Sequence, residues 1–369
     1  MIEFLGRRIV NNYLSRQSKE RFFRIYNKIN RKKCALLNTL PFYYKKRISE
    51  YPKYLAISLT TRCNLRCSIC DRNNYKASDM NYENLEKLIN PIKHAKMIDL
   101  TGWGEAILYP EYPDVLKYIF KNNNKKKLIS QTLNGTLANK YSDLLKGRVQ
   151  RLVISLNAAE EDTYNREMSG GDFHKTINNV KSLLSNLSEE DIKSTKLHFV
   201  VHVRNYKEMP AFVELAKSLK VSQVSFGQYM CNNMESEKNT LLNIKNEYNE
   251  TLRSVDKVAS KHKIEVFYRR FGEDLGLTIN NCMYPYDWCF VQVNGDMTCC
   301  CYLADVVMGN VYNDTFESVW FGEKMQKLRE IRHYPSCMLC APFHSFDNPQ
   351  THYTAKYNLL KMSMDNGKL

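Results

Sequence analysis

No stretch of the 369 residues approaches the roughly 20 consecutive apolar residues that a membrane-spanning helix needs. The first residues also lack the apolar core of a secretion signal, so a reducing cytoplasm is the expected setting. Acidic side chains are scarce as well: 39 Asp and Glu face 54 Lys and Arg, for a net charge of +15. That shortage is local. Residues 1–53 hold 14 Lys or Arg against only Glu3, Glu20 and Glu50, a surplus of +11, while the remainder is nearly balanced. Charge confined to one end does not describe a nucleic-acid-binding face, and nucleic acid is not an expected partner. Within this head Ile2, Leu5, Ile9, Val10, Tyr13 and Leu14 recur at helical spacing, followed by Phe22, Phe23, Ile25, Tyr26 and Ile29. Such a basic amphipathic stripe suits an anionic membrane surface, giving a peripheral location, and equally suits a solvated helical extension packed on the body.

The 12 cysteines lack the even spread of a disulfide framework. Cys63, Cys67 and Cys70 form one knot, and most of the others lie between Cys282 and Cys340, a grouping that reads as metal or cluster ligation.

What the sequence has in quantity is alternation. Apolar, β-branched runs at 54–60, 97–101, 127–132, 151–157, 197–203 and 223–228 read as buried strands, with helix-like segments between them. Six β/α repeats predict a parallel sheet, either open and doubly wound or closing as a partial barrel. A long helix is expected over 240–262 and a strand at IEVFY, after which short strands, a Gly turn and clustered cysteines take over. The division expected from these changes is a basic helical extension at 1–50, a β/α body at 51–266, a small cysteine-bearing domain at 267–345 and a loosely held tail at 346–369.

The first strand runs straight into TRCNLRCSICD, with Cys63, Cys67 and Cys70 spaced by three and two residues. Catalytic loops in parallel β/α folds follow the C-terminal strand ends. Three thiolates are one short of a structural zinc site. A 4Fe-4S cluster held by three cysteines keeps one iron open to a substrate or cofactor.

This pattern resembles the radical S-adenosylmethionine (radical SAM) superfamily, whose hallmark is C-x3-C-x2-C after the first strand of a partial six-stranded TIM-like β/α barrel. Further segments match. TGWGEAILYP is similar to the family's G-x-G-E-P motif, with Gly102, Gly104 and Glu105 in register and Ala106 replacing the proline. Asn134 and Gly135 stand in a T-N-G-like turn. Ser155 stands near the expected cofactor ribose, and Asn157 takes a position where Asp is common. Ile69 stands where the family often has an aromatic residue against the adenine. The resemblance implies that Cys63, Cys67 and Cys70 hold a SAM-binding 4Fe-4S cluster, and that Ile69, Gly102, Gly104, Glu105, Asn134 and Ser155 contact SAM. It further implies that an external reductant such as flavodoxin or ferredoxin drives cleavage of SAM to a 5'-deoxyadenosyl radical, which abstracts a substrate hydrogen.

The C-terminal cysteines resemble the SPASM/twitch extension of these enzymes. Matching features are CMYPYDW, the hairpin VQVNGDMTCCCY, the MGN turn, a short Trp-bearing helix and SCMLC. No cysteine follows Cys340, so the resemblance implies the shorter twitch form with one auxiliary 4Fe-4S cluster, held by Cys282, Cys300, Cys337 and Cys340. Within Cys299–Cys300–Cys301 alternation separates the middle residue from its neighbours without saying which side holds iron, and the family register favours Cys300. Cys289 is a rival ligand. A structural zinc ribbon is the other reading of this half.

The expected function is a radical SAM oxidoreductase acting on a small polar molecule such as a sugar or sugar nucleotide. The base needed for alcohol oxidation is open among Arg204, Tyr284, Asp287 and Arg269. The alternatives are a maturase acting on a peptide substrate and, in a different class, a zinc-bearing nucleic-acid or membrane-surface binding protein.

Overall fold

The computed structural model describes residues 48–71, 76–231, 233–273, 282–301 and 306–331, together with His352. The basic head, most of the tail, and Cys337 and Cys340 lie outside the described residues.

The six expected strands form and pair side by side. They are β1 (Tyr54–Ile57), β3 (Met97–Asp99), β4 (Ile129–Leu133), β5 (Val149–Ser155), β7 (Thr195–Val201) and β8 (Gln223–Gln228), parallel and in the order β1-β3-β4-β5-β7-β8. Strands β2 (Arg66–Cys67) and β6 (Met168–Ser169) form a separate antiparallel pair. The order decides between the two predicted architectures. A doubly wound sheet reverses direction at a switch point, whereas here every crossover advances the same way, and right-handed crossovers then place all helices on one face. The opposite face is concave, as in a partial barrel.

Strand sequences fit this division. In β5, Val149, Leu152 and Ile154 are buried towards the helices, and Arg151, Val153 and Ser155 alternate onto the concave face. Phe199 of β7 meets Phe212 of the Met209–Ser218 helix edge to face, with ring centroids 4.8 Å apart. Burying one such ring contributes about 2–3 kcal/mol of transfer free energy.

Some element limits differ from the sequence reading. The segment 81–94 splits into a 3-10 helix, Tyr82–Leu88, and an α-helix, Ile89–His94, because Pro91 has no N–H and is tolerated only in a first turn. The long helix starts at Lys245, after a 3-10 turn at Leu241–Ile244, and ends at His262 with Lys263 in the left-handed region at φ 56°. His352, in the supposed loose tail, is buried, stacks on Phe271 at 5.6 Å, and its carbonyl accepts from Cys231 N–H at 2.8 Å.

The cysteine-bearing segment extends the barrel sheet. Strand β9 (Glu265–Phe267) adds to β8, and β10 (Trp288–Val291) adds in parallel to the outer edge of β1, with Tyr54 opposite Trp288. Strands β11 (Asp296–Thr298) and β12 (Gly309–Asn310) follow antiparallel. Gly295 turns the hairpin at φ 88°, and a Cβ there would sit 2.4 Å from the Tyr312 ring. Trp320 and Leu328 share one apolar core with Leu55 and Ile57 of the barrel, and Trp320 Nε1 donates to Ser49 O at 3.1 Å. The sequence boundary at 267 is therefore crossed by a continuous sheet. No helix among the described residues is long and apolar enough to cross a membrane.

Candidate active site and its two cysteine groups

The loop after β1 carries the first group. Cys63 and Cys67 are half-buried and Cys70 is exposed. Asn134 Nδ2 lies 3.7 Å from Cys63 Sγ, and Leu65 N–H lies 3.5 Å from it, so donors already point at that sulfur. Cys67 lies in β2, paired antiparallel with Met168 of β6, which fixes the middle of the loop to the helix Glu161–Glu167. Ser68 N–H donates to Glu167 O at 3.0 Å, and its hydroxyl donates to the Glu167 carboxylate.

The loop after β3 explains the two glycines. A Cβ on Gly104 would lie 2.3 Å from Arg62 O and 2.6 Å from Thr60 O, and one on Gly102 would lie 2.3 Å from Ser58 Oγ. Both residues therefore let this loop press against the segment leading into Cys63. Glu105 is buried, and its carboxylate accepts from Asn134 N–H at 2.8 Å, joining the loops after β3 and β4. Burial pushes its carboxyl up to about 7 against the hydrogen bonds from Asn134 and Ile107. Asn134 is the hub: its side chain also reaches Asn64 Oδ1 at 3.0 Å and accepts from Thr136. Ser155 ends β5 on the concave face. Asn157 is buried and accepts from Val200 N–H at 3.0 Å, a structural tie to β7. Ile69 packs with Val200 against Tyr229 and Cys231.

Sequence reasoning missed Glu167. Its buried carboxylate accepts from Arg204 Nε at 3.1 Å and Arg204 Nη2 at 3.0 Å, and His202 Nε2 lies 3.2 Å away. Burial alone would raise this carboxyl, but hydrogen bonds from His202, Arg204 and Ser68 outweigh it and hold the group well below the usual carboxylate range. Arg204 also donates to Ser68 Oγ at 3.0 Å, so this candidate base sits in the brace of the cluster loop. The only sequence signal was Arg204 at a strand end; nothing marked its partner.

The four candidate bases do not come together. Arg204 and Arg269 follow the C-terminal ends of β7 and β9, whereas Tyr284 and Asp287 precede β10 at the opposite end of the sheet. Asp287 pairs with Lys53 at 2.6 Å, and Arg269 O accepts from Tyr248 at 2.9 Å.

The second cysteine group assembles around Tyr284. Burial, then the neighbouring thiols of Cys301, Cys300 and Cys282, push its hydroxyl up to about 12. Cys299 and Cys289 are instead buried in the core beside Arg329, and burial followed by the proximity of Cys299 drives the Cys289 thiol far up. The triple thus splits: Cys299 faces inward, while Cys300 is half-buried and Cys301 exposed near Cys282. Among the described residues no three His, Cys, Asp or Glu side chains converge to hold a single metal ion. A cubane takes each thiolate on a different iron and does not require such convergence.

A cavity of about 850 Å³ occupies the concave face, lined by Thr132, Arg151, Val153, Lys196, His198 and Ser225 among others. The missed signal was the set of polar residues Arg151, Lys196, His198 and Ser225, interleaved with buried apolar ones in β5, β7 and β8.

Comparison with known proteins agrees with this architecture. The family model of the radical SAM superfamily matches residues 57–216, and the model of an iron-sulfur cluster-binding domain, SPASM, matches residues 282–341. The probable GTP 3',8-cyclase of Methanococcus maripaludis is 27% identical over 169 residues, covering 44% of this chain and 54% of the relative. The GTP 3',8-cyclase of Clostridium botulinum is 29% identical over 178 residues, covering 46% and 54%. The chain thus spans about half the length of the curated relatives it matches. In fold it is similar to Streptococcus suis SuiB, at TM-score 0.58 and 17% identity over 78% of this chain and 69% of that one. It is also similar to anSMEcpe with bound AdoMet and Cp18Cys peptide, at TM-score 0.58 and 16% identity over 85% and 98%. Taken with a parallel barrel that presents three cysteines after its first strand, the two matches identify a radical SAM domain in residues 57–216, followed by a SPASM iron-sulfur cluster-binding domain in residues 282–341.

Proposed function

We propose that this chain oxidises a small polar substrate held in the concave cavity, with SAM and a 4Fe-4S cluster at Cys63, Cys67 and Cys70. The chemistry that this pair supplies when bound is one-electron cleavage of SAM to a hydrogen-abstracting radical. The donor set suits it: three partly accessible thiols at a strand-end loop, with N–H groups of Leu65 and Asn134 directed at Cys63 Sγ. Cys282 and Cys300, with Cys337 and Cys340, are assigned to one auxiliary cluster, whose chemistry is electron exchange. Flavodoxin or ferredoxin is the class of external reductant.

The observation that carries the reading is the cavity. Its volume of about 850 Å³ falls in the range of small-molecule sites, most of its lining residues carry polar groups, and it lies on the barrel face between strand ends that carry the two cysteine groups. Alcohol oxidation removes a hydrogen atom, a proton and an electron. For the proton the chain offers His198, whose Nδ1 lies 2.8 Å from Ser225 Oγ. Burial, and the charge of Lys196, lower this imidazole to about 4, so it is neutral near pH 7; the same shift makes it a weak base, suited to relaying a proton to solvent rather than holding it. Gly227 makes room for it: a Cβ there would lie 2.8 Å from His198 Cε1.

Anaerobic reconstitution tests the reading. About eight irons per chain, formation of 5'-deoxyadenosine under a reductant, and its loss in Cys67→Ala are expected. Zinc in place of iron, or SAM left intact, would overturn it.

A further inference from the structure

The charge of the cavity says more than its size. The charged residues lining it are Arg151, Lys193 and Lys196, all cationic, with no acid among them. Resting on the reading that the substrate occupies this cavity, we propose that the site binds its substrate through a phosphate group, held by Arg151 and Lys196 at the end of the barrel remote from Cys63, Cys67 and Cys70.

Arg151 is aimed beforehand. Asp99 Oδ2 lies 2.6 Å from its Nη2, its Nε donates to Ser130 Oγ at 2.8 Å, and Ser130 in turn donates to Asp99 at 3.1 Å. These contacts fix the guanidinium by one edge. Its Nη1 makes no hydrogen bond among the described residues, and the side chain is half exposed. A held guanidinium with open donors is the arrangement that recognises phosphate oxygens at low entropic cost.

Lys196 stands one strand away on the same face. Its Nζ lies 3.9 Å over the Phe267 ring; burial weakens its hold on a proton, the charge of Glu265 opposes this, and the charge of Arg151 adds to it by a smaller amount. Asp99 and Glu265 are the nearby acids, the first occupied by Arg151 and the second outside the lining. Two cations facing one partly desolvated space repel each other, and an anion placed between them removes that cost. Lys193 adds a third cation at the rim, and Ser225 supplies a neutral donor beyond.

Position gives the phosphate a role. Arg151 and Lys196 lie near the N-terminal ends of β5 and β7, whereas the cluster loop follows the C-terminal end of β1. From Arg151 to Ser155 is roughly 13 Å of strand. A phosphate at the floor therefore directs the remainder of the molecule past His198 towards the radical-generating loop.

Calorimetric titration of the full-length, anaerobically reconstituted protein with UDP, inorganic pyrophosphate and uridine tests this. UDP and pyrophosphate should bind and uridine should not. Lys196→Gln should weaken UDP about tenfold, and Arg151→Lys, which keeps charge but loses the fork, by a similar factor. Circular dichroism and iron content of each variant report whether it folds, and Lys196→Gln leaves the Asp99–Arg151 pair intact. Uridine binding as well as UDP, absence of anion binding, or equal UDP affinity in folded variants would overturn the proposal. Loss of iron with unchanged UDP affinity would do so too, assigning these cations to the auxiliary cluster. Formation of 5'-deoxyadenosine by the unaltered protein is scored separately: its absence with UDP binding intact would sink the oxidation reading and leave the phosphate site standing.

Discussion

The two cysteine groups are built in opposite ways. Cys63, Cys67 and Cys70 lie within eight residues of one loop, whose shape is set by contacts from three neighbouring strand ends: Gly104, Asn134 and the Glu167–Arg204 pair. Cys282 and Cys300 are brought near Tyr284 by strand pairing, because β10 and β11 form a hairpin and the chain before β10 folds back to meet its far end. A local motif needs only the right spacing. A group assembled by a hairpin depends on register, and one residue of slip exchanges a core cysteine for a solvent-facing one.

The largest expected effect breaks the first group. Cys67→Ala should reduce 5'-deoxyadenosine formation to background, while Cys289→Ala, deep in the core, should leave iron content unchanged and cost about 1 kcal/mol of stability. A loss of iron in Cys289→Ala would mean that the second group includes it. The register of the triple is tested next: Cys300→Ser should lower iron by up to one cluster and Cys299→Ser should not, and the reverse would shift the ligand inward by one residue.

The brace comes third. Glu167→Gln removes the charge that Arg204 and His202 face, and should cost about 3 kcal/mol in unfolding experiments and speed iron loss to a chelator. Unchanged stability and iron retention would show that the loop holds itself.

The last effect concerns Glu105 and shows only as a change of stability with pH. Burial raises its carboxyl from an ordinary 4.5 to about 7, so between these values the folded chain keeps a proton that the unfolded chain has released. Stability from this group is greatest below about 4.5 and falls as pH rises to about 7, by up to roughly 3 kcal/mol. Glu105→Gln keeps an acceptor for Asn134 N–H without a charge and should flatten the fall; an unaltered pH profile would refute the buried-carboxylate account.

The barrel was legible because its signals are local. Apolar runs marked all six parallel strands, and C-x3-C-x2-C marked the cluster loop. Pairing partners far apart in sequence were not legible. Nothing before folding joins Glu167 to Arg204, or Arg151 to Asp99, 37 and 52 residues apart. The glycines of the TGWGE segment, expected to face a cofactor, also make room within the protein: a Cβ on Gly104 would meet backbone oxygens of Arg62 and Thr60, and one on Gly102 the Ser58 side chain. Nor did the sequence show that its C-terminal cysteine segment would extend the barrel sheet at β1, since a strand's neighbour is chosen by long-range packing.

The central claim is that two separate iron-sulfur sites flank one cavity. Iron quantification and electron paramagnetic resonance on the anaerobically reconstituted full chain, in which Cys63, Cys67 and Cys70 are all replaced by Ala, test it most directly. The account predicts about four irons per chain, down from about eight, with a 4Fe-4S signal on reduction and no cleavage of SAM. Iron-free protein, or zinc in the remaining site, would contradict it.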